Sequence, residues 1–227
     1  MDGLLLVDKP SGWTSFDVVA KVRGVIRAQT GLKKPKVGHT GTLDPLATGL
    51  LVLTIGTYCK RASEFSKLNK IYEVTMKLGE TSTTGDEEGV KTHVSDEKPS
   101  EEAVQEAVMS FVGEIEQVPP AFSAIKVNGQ RAYKLARAGQ EVKLEPRKVT
   151  IHDITHVLYH YPEVKFTAHV SSGTYIRSLV EDIGKQLETG AYMSALCRTQ
   201  VGEFKLENAV GVPDLTPDNI TKLVLTR

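Results

Sequence analysis

Gly38-His39-Thr40-Gly41-Thr42-Leu43-Asp44-Pro45-Leu46-Ala47-Thr48-Gly49-Leu50-Leu51-Val52-Leu53 is the most informative stretch of this 227-residue chain. Its last four residues are an unbroken apolar run, the pattern of a buried strand, so the residues before them form a loop feeding buried structure. Gly38 and Gly41 admit positive φ, and Pro45 sets the turn just after the acid. A side-chain-poor loop that presents one carboxylate supports two readings. Asp44 caps a helix or makes an Asx-turn, as Asp-Pro pairs often do, or it carries chemistry. Spacing alone leans to the cap.

Outward from this stretch the chain alternates strands and helices. Leu4 to Val7 is an apolar strand, and a helix runs from about Phe16 to Gln29 with Ser15 as N-cap and Val18, Val19, Val22 and Ile26 as its inward stripe. Lys33-Lys34-Pro35-Lys36 is an exposed basic loop, and Leu50 to Ile55 is the buried strand already noted. Cys59 to Phe65 reads as a short helix and Lys70 to Leu78 as an alternating strand. Glu80 to Lys98 is polar and loop-like. Ser100 caps a helix over Glu101 to Val112 with Ala103, Val104, Ala107, Val108 and Phe111 inward. Strands around Val149 to Tyr159 and Lys165 to Ser171 precede a helix near Ile176 to Leu187, and Asp214 to Leu225 is a candidate terminal helix.

The chain is 40% hydrophobic and 25% charged, ordinary for a globular protein. No apolar run approaches the roughly 20 residues that span a bilayer, and the N-terminus lacks the basic region of a secretory signal, so a cytoplasmic protein is expected. Cys59 and Cys197 lack metal-ligand spacing and read as buried thiols. His152, His156 and His160 have i, i+4 spacing but fall in a strand region, which argues against a metal site. The 28 basic and 28 acidic residues are unevenly spread. Residues 1–77 hold 12 Lys/Arg against 6 Asp/Glu, residues 78–118 hold 2 against 11, and residues 119–227 hold 14 against 11. The flanks are thus basic around an acidic centre, and local charge is what a polyanion meets. Residues 119–148 alone carry 7 cations against 2 acids, with Tyr133 among them.

Five segments resemble the bacterial tRNA pseudouridine-55 synthases, the TruB family. They are the Gly38–Leu51 stretch, the opening Gly3-Leu4-Leu5-Leu6-Val7-Asp8-Lys9-Pro10-Ser11-Gly12-Trp13-Thr14-Ser15, Lys70-Ile71-Tyr72, Pro119-Pro120-Ala121-Phe122-Ser123-Ala124-Ile125-Lys126, and Gly173-Thr174-Tyr175-Ile176-Arg177-Ser178-Leu179. They occur in the family's order and reach from Gly3 to Phe204. The resemblance implies an α/β (α+β) pseudouridine synthase fold, a central mixed or antiparallel sheet flanked by helices. It implies a catalytic domain over residues 1–206, a thumb-like RNA-binding insertion over 119–148 and a short tail or helix over 207–227. About 20 residues are too few for the PUA domain that many family members carry.

The implied reaction isomerises the T-loop uridine of tRNA. The bond from base nitrogen to ribose breaks, the base turns, and it rejoins through carbon, which requires no cofactor and no metal. One carboxylate is the minimum, attacking the anomeric carbon or removing a ribose proton. By resemblance Asp44 supplies it, Arg177 is its cationic partner, and Tyr72 stacks on the target base. His39 docks into the RNA loop and helps evict the uridine. Lys9, Tyr175 and Leu196 border the substrate, Lys126, Arg131, Lys134 and Arg137 grip RNA from the insertion, and Asp86 lies in a loop that contacts RNA. Phe122 stands where the family commonly has tyrosine. The implied partner is the T-arm stem-loop of tRNA, bound by a monomer with no obligatory protein partner. The alternatives are a tRNA-folding module and a synthase acting on another RNA.

Overall fold

The computed structural model describes residues 1–127 and 129–226. The chain divides into two compact units, Met1–Glu73 with Leu196–Arg227, and Val74–Ala195. Strands Lys70–Leu78 and Ala191–Val201 carry the chain between them. Both units combine strands and helices, giving the α+β class.

In the first unit, Gly3–Lys9 pairs antiparallel with Thr48–Ile55 and parallel with Val210–Gly211. Thr48–Ile55 also pairs parallel with the Cys197–Arg198 part of Ala191–Val201 and antiparallel with Val37–His39. The sheet is therefore mixed. Its two central strands carry unbroken apolar runs, Leu4–Val7 and Leu50–Leu53, because both faces are covered there. Leu5, Val7, Leu51, Leu53 and Ile55 pack on Val18, Val19, Val22, Val25 and Ile26 of helix Ser15–Thr30. Leu4, Leu6, Leu50 and Val52 turn the other way, onto Val201 and Phe204. The helix begins one residue before the sequence suggested. Thr14, not Ser15, is the N-cap, in a capping box with Asp17. Ser15 is the first helical residue, and its hydroxyl is used elsewhere.

Residues 207–226 are no loose tail. Val212, Leu215 and Ile220 are buried in the same cluster as the helix stripe, and Leu225 bridges Leu4. The helix expected over Asp214 to Leu225 is only Ile220–Leu223, since Pro217 and the Asn219 side chain, bonded to Thr216 N and Asp214 O, hold a turn ahead of it.

In the second unit the strand order is Lys70–Leu78, Glu163–Val170, Arg147–His160, Gly113–Gln117. The pairs Arg147–His160 with Glu163–Val170 and with Gly113–Gln117 are antiparallel. Helix Glu101–Met109, capped by Ser100, packs through Val104, Ala107 and Val108 on Arg147–His160 and on helix Ile176–Gln186. Ala103, expected inward, is exposed. The polar segment after Leu78 is not all loop: Glu80–Ser82 and Lys91–His93 form a hairpin. Arg147 and Lys148, assigned from sequence to the insertion, belong to the sheet opposite Gln117 and Glu116. Among the described residues no helix is long and apolar enough to cross a membrane.

Gly38 and Gly41 do not use the left-handed region; Gly49 does, at φ 96°. A Cβ there would stand 2.4 Å from the Arg198 carbonyl oxygen, so only glycine lets these parallel strands approach. Gly49→Ala is expected to lower stability by about 2–4 kcal/mol, read from the urea midpoint at constant m-value.

Candidate active site

The quoted loop starts as a strand edge and ends as a core strand, with Asp44 half-buried between them. Asp44 caps no helix; its carbonyl accepts Ala47 N at 3.1 Å, closing a tight turn. What distinguishes the loop is how its backbone is held.

The residue on each side of Asp44 is tied down by a different part of the chain. On the N-terminal side, Ser15 Oγ accepts Leu43 N at 2.8 Å and donates to Leu43 O at 3.1 Å. On the C-terminal side, Pro45 O accepts Gly12 N at 2.9 Å and Lys9 Nζ at 3.2 Å. Lys9 Nζ also donates to Pro10 O at 2.9 Å and Trp13 O at 2.7 Å, so its three protons are all engaged by carbonyls. Farther out, Thr40 N and Oγ1 both donate to Val52 O. Arg198, 2% exposed, donates through Nε to Leu50 O at 2.8 Å and through Nη2 to Gly41 O at 3.0 Å. Buried carbonyls satisfied by cationic donors form strong, directional bonds. The result is a carboxylate on a backbone that has little freedom left.

The local field is mixed, with Asp44, Asp17 and Asp8 acting on Lys9 beside Arg198. Lys9 and Lys70 are almost wholly buried, and Arg198 lies close enough to depress both. Burial pushes Lys9 down to about 8, while the Asp44 charge pulls it back up. Burial likewise takes Lys70 to about 8, its ammonium donating to the carbonyls of Ser66 and Leu68. Lys9, expected at the edge of the substrate, is fully buried and acts on the loop backbone, since all its donors are spent on carbonyls.

His39 ends strand Val37–His39, half-buried, with its ring edge-on to Phe16 at 5.9 Å. Tyr72 is 8% exposed on strand Lys70–Leu78, and Leu196 is 9% exposed with its carbonyl accepting Thr48 Oγ1. Asp44, Lys9, His39, Tyr72 and Leu196 all belong to the first unit.

The second unit holds Arg177, Tyr175, Asp86 and the insertion. Arg177 is buried in the first turn of helix Ile176–Gln186. Its Nη1 donates to Thr84 O at 3.0 Å, its Nη2 to Phe122 O at 2.8 Å, and its Nε lies 3.7 Å from Asp86 Oδ2. Asp86, read from sequence as an RNA contact, is 3% exposed and takes Thr84 Oγ1 and Glu88 N as well. The carboxylate is thus enclosed beside Arg177. The side-chain amide of Gln117 bonds Tyr175 N at 2.7 Å and Tyr175 O at 3.0 Å, fixing the turn that opens the helix.

In the insertion, Lys126–Val127 and Gln130–Arg131 form a small hairpin, followed by helix Ala132–Arg137. Lys126, Arg131, Lys134 and Arg137 are all exposed. Lys126 and Arg131 are direct cross-strand partners, a like-charge pairing that costs stability in the absence of an anion. Arg137 lies over the Tyr133 ring at 5.8 Å.

Sequence reasoning missed Arg198, Ser15 as a loop anchor, and Gln117. Their signal is tertiary: which carbonyls they meet depends on strands and helices far apart in the chain.

The family model described as TruB family pseudouridylate synthase (N terminal domain) matches residues 27–176, and that described as tRNA pseudouridylate synthase B C-terminal domain matches residues 177–221. A protein of Phocaeicola vulgatus named tRNA pseudouridine synthase B is 45% identical over 210 residues, 92% of this chain and 89% of its own length. One of the same name from Clostridium novyi is 46% identical over 226 residues, all of this chain and 76% of its own length. Among solved structures, a Cbf5-Nop10-Gar1 complex is similar with a TM-score of 0.72 and 31% identity, over 95% of this chain. The chain spans about half of that structure's matched chain, 54%.

Lys9 gives a pH test. Below pH 8 it is charged in folded and unfolded chains alike, and its burial is a cost. Between about 8 and its ordinary 10.5 the folded chain has released the proton and the unfolded chain has not, so stability rises with pH across this window. The urea midpoint of the wild type should climb more steeply through it than that of Lys9→Met.

Proposed function

This chain belongs to the TruB family of pseudouridylate synthases, and on that premise we propose that it converts the T-loop uridine of tRNA to pseudouridine, acting alone in the cytoplasm with Asp44 as its catalytic carboxylate. The observation that carries the assignment is the anchoring of Leu43 and Pro45, the two neighbours of Asp44, from Ser15 on one side and from Lys9 and Gly12 on the other. Such preorganisation is costly in buried cations and serves a group that must meet a reacting atom within a fraction of an ångström.

The chemistry needs one ionised carboxylate. Either it attacks C1′ of the ribose and expels the base as a uracil anion, or it removes the C2′ proton as the base departs and leaves a glycal. The detached base turns, carbon 5 bonds to C1′, and the proton on carbon 5 is lost while nitrogen 1 gains one, so the product is an isomer. Tyr72 offers a ring for the base to turn on, and Arg177 is the guanidinium that the family motif assigns to the carboxylate. His39 enters the RNA loop. The exposed cations of the insertion take phosphates, and the Lys126–Arg131 pair is relieved when an anion bridges it.

Incubation with unmodified tRNA transcript, followed by carbodiimide-dependent primer extension, should stop at the T-loop uridine with wild type. With Asp44→Asn the stop should vanish while tRNA binding persists. Activity in that variant would overturn the catalytic assignment. Binding by wild type with no stop would instead favour a folding module or another RNA. The double variant Lys126→Ala with Arg131→Ala should weaken tRNA binding and reduce the slope of log affinity against log salt by roughly 1–2.

A further inference from the structure

We infer that Trp13 and Phe16 form an aromatic platform on which an unpaired base of the RNA substrate stacks beside the Asp44 loop. It rests on the assignment to RNA made above and adds a binding subsite to it.

Both rings are large and out in solvent. Phe16 is 60% exposed and Trp13 36% exposed, on the segment that opens helix Ser15–Thr30. Phe16 has no polar atom, so packing and stacking are the only contacts it can make. The segment is tied to the catalytic loop at three points. Trp13 O accepts Lys9 Nζ at 2.7 Å, and that same ammonium holds Pro45 O. Ser15 Oγ holds Leu43 from between the two rings in sequence. The Phe16 ring meets the His39 ring edge-on, centroids 5.9 Å apart and planes at 81°.

Phe16 is thus in contact with the loop that carries His39, and Trp13 is bonded through its carbonyl to the lysine that holds Pro45. A base turned out of a stack needs its neighbours held as well as itself, and an aromatic face accepts any base. The ring contact with His39, on the loop assigned above to RNA docking, commits the platform to a base of that same substrate. Asp17, in the first turn of the same helix, accepts Thr14 N and Oγ1, which fixes the backbone between the two rings. Two apolar rings exposed at the rim of a polar loop fit a surface that is covered only while substrate is bound.

The chain contains a single tryptophan, so Trp13 reports on its own surroundings. An unmodified T-arm stem-loop RNA labelled with fluorescein would be titrated with protein, following anisotropy and Trp13 emission together. Emission is expected to be quenched in step with binding. Phe16→Ala should raise Kd about tenfold with the salt slope nearly unchanged, because stacking releases no counterions. Phe16→Tyr should restore tight binding, and circular dichroism should show both variants folded. Flat Trp13 emission on a bound RNA overturns the platform. So does Phe16→Ala binding as tightly as wild type, or self-association of the wild type that Phe16→Ala abolishes. Failure of the underlying assignment looks different: wild type would neither bind nor isomerise the RNA.

Discussion

Everything about the candidate site depends on backbone carbonyls that are held by side-chain donors. Loops leave carbonyls unpaired, and a buried unpaired carbonyl is expensive. Here Gly41, Pro45 and Leu50 meet Arg198 or Lys9, and Leu43 meets a serine hydroxyl through both its backbone groups. Because these donors come from the first strand, the first helix and the last long strand, the loop can take this shape only after the first unit has assembled. Asp44 thereby inherits the rigidity of the sheet without lying in it.

The same arrangement sets the electrostatics. Burying Lys9, Lys70 and Arg198 costs free energy that the two-faced apolar core must offset. The exposed cations of the insertion act at the other extreme. They are solvated, screened by salt and suited to holding a flexible polyanion. One set of charges shapes the loop, and the other stands exposed to solvent.

The second unit repeats the theme with Arg177. Its guanidinium bonds Thr84 O and Phe122 O and pairs with buried Asp86, while Gln117 clamps the turn at Tyr175. The base of the insertion is therefore fastened to the same arginine as the hairpin that carries Asp86. In the insertion itself, Lys126 and Arg131 stand opposite each other as a cross-strand pair of like charges.

Much of this was legible in the residues. The run from Leu50 to Leu53 had to be a strand covered on both faces, because no polar position interrupts it. The stripe Val18, Val19, Val22, Ile26 had to be a helix face, and the motif around Asp44 marked the family. Local chemistry decides such features, and local chemistry is written in order along the chain. What tertiary structure alone decided was the use of groups whose partners are remote in sequence. Lys9 and Asp86 moved from expected substrate contacts to internal supports, Ser15 moved from cap to loop anchor, and Arg198 emerged from obscurity. Gly49 rather than Gly38 or Gly41 proved to be the glycine that needs its freedom, since only the pairing with Arg198 brings a second backbone within reach. A donor's identity is visible in sequence, but the carbonyl it will meet is set by which strands come to lie side by side.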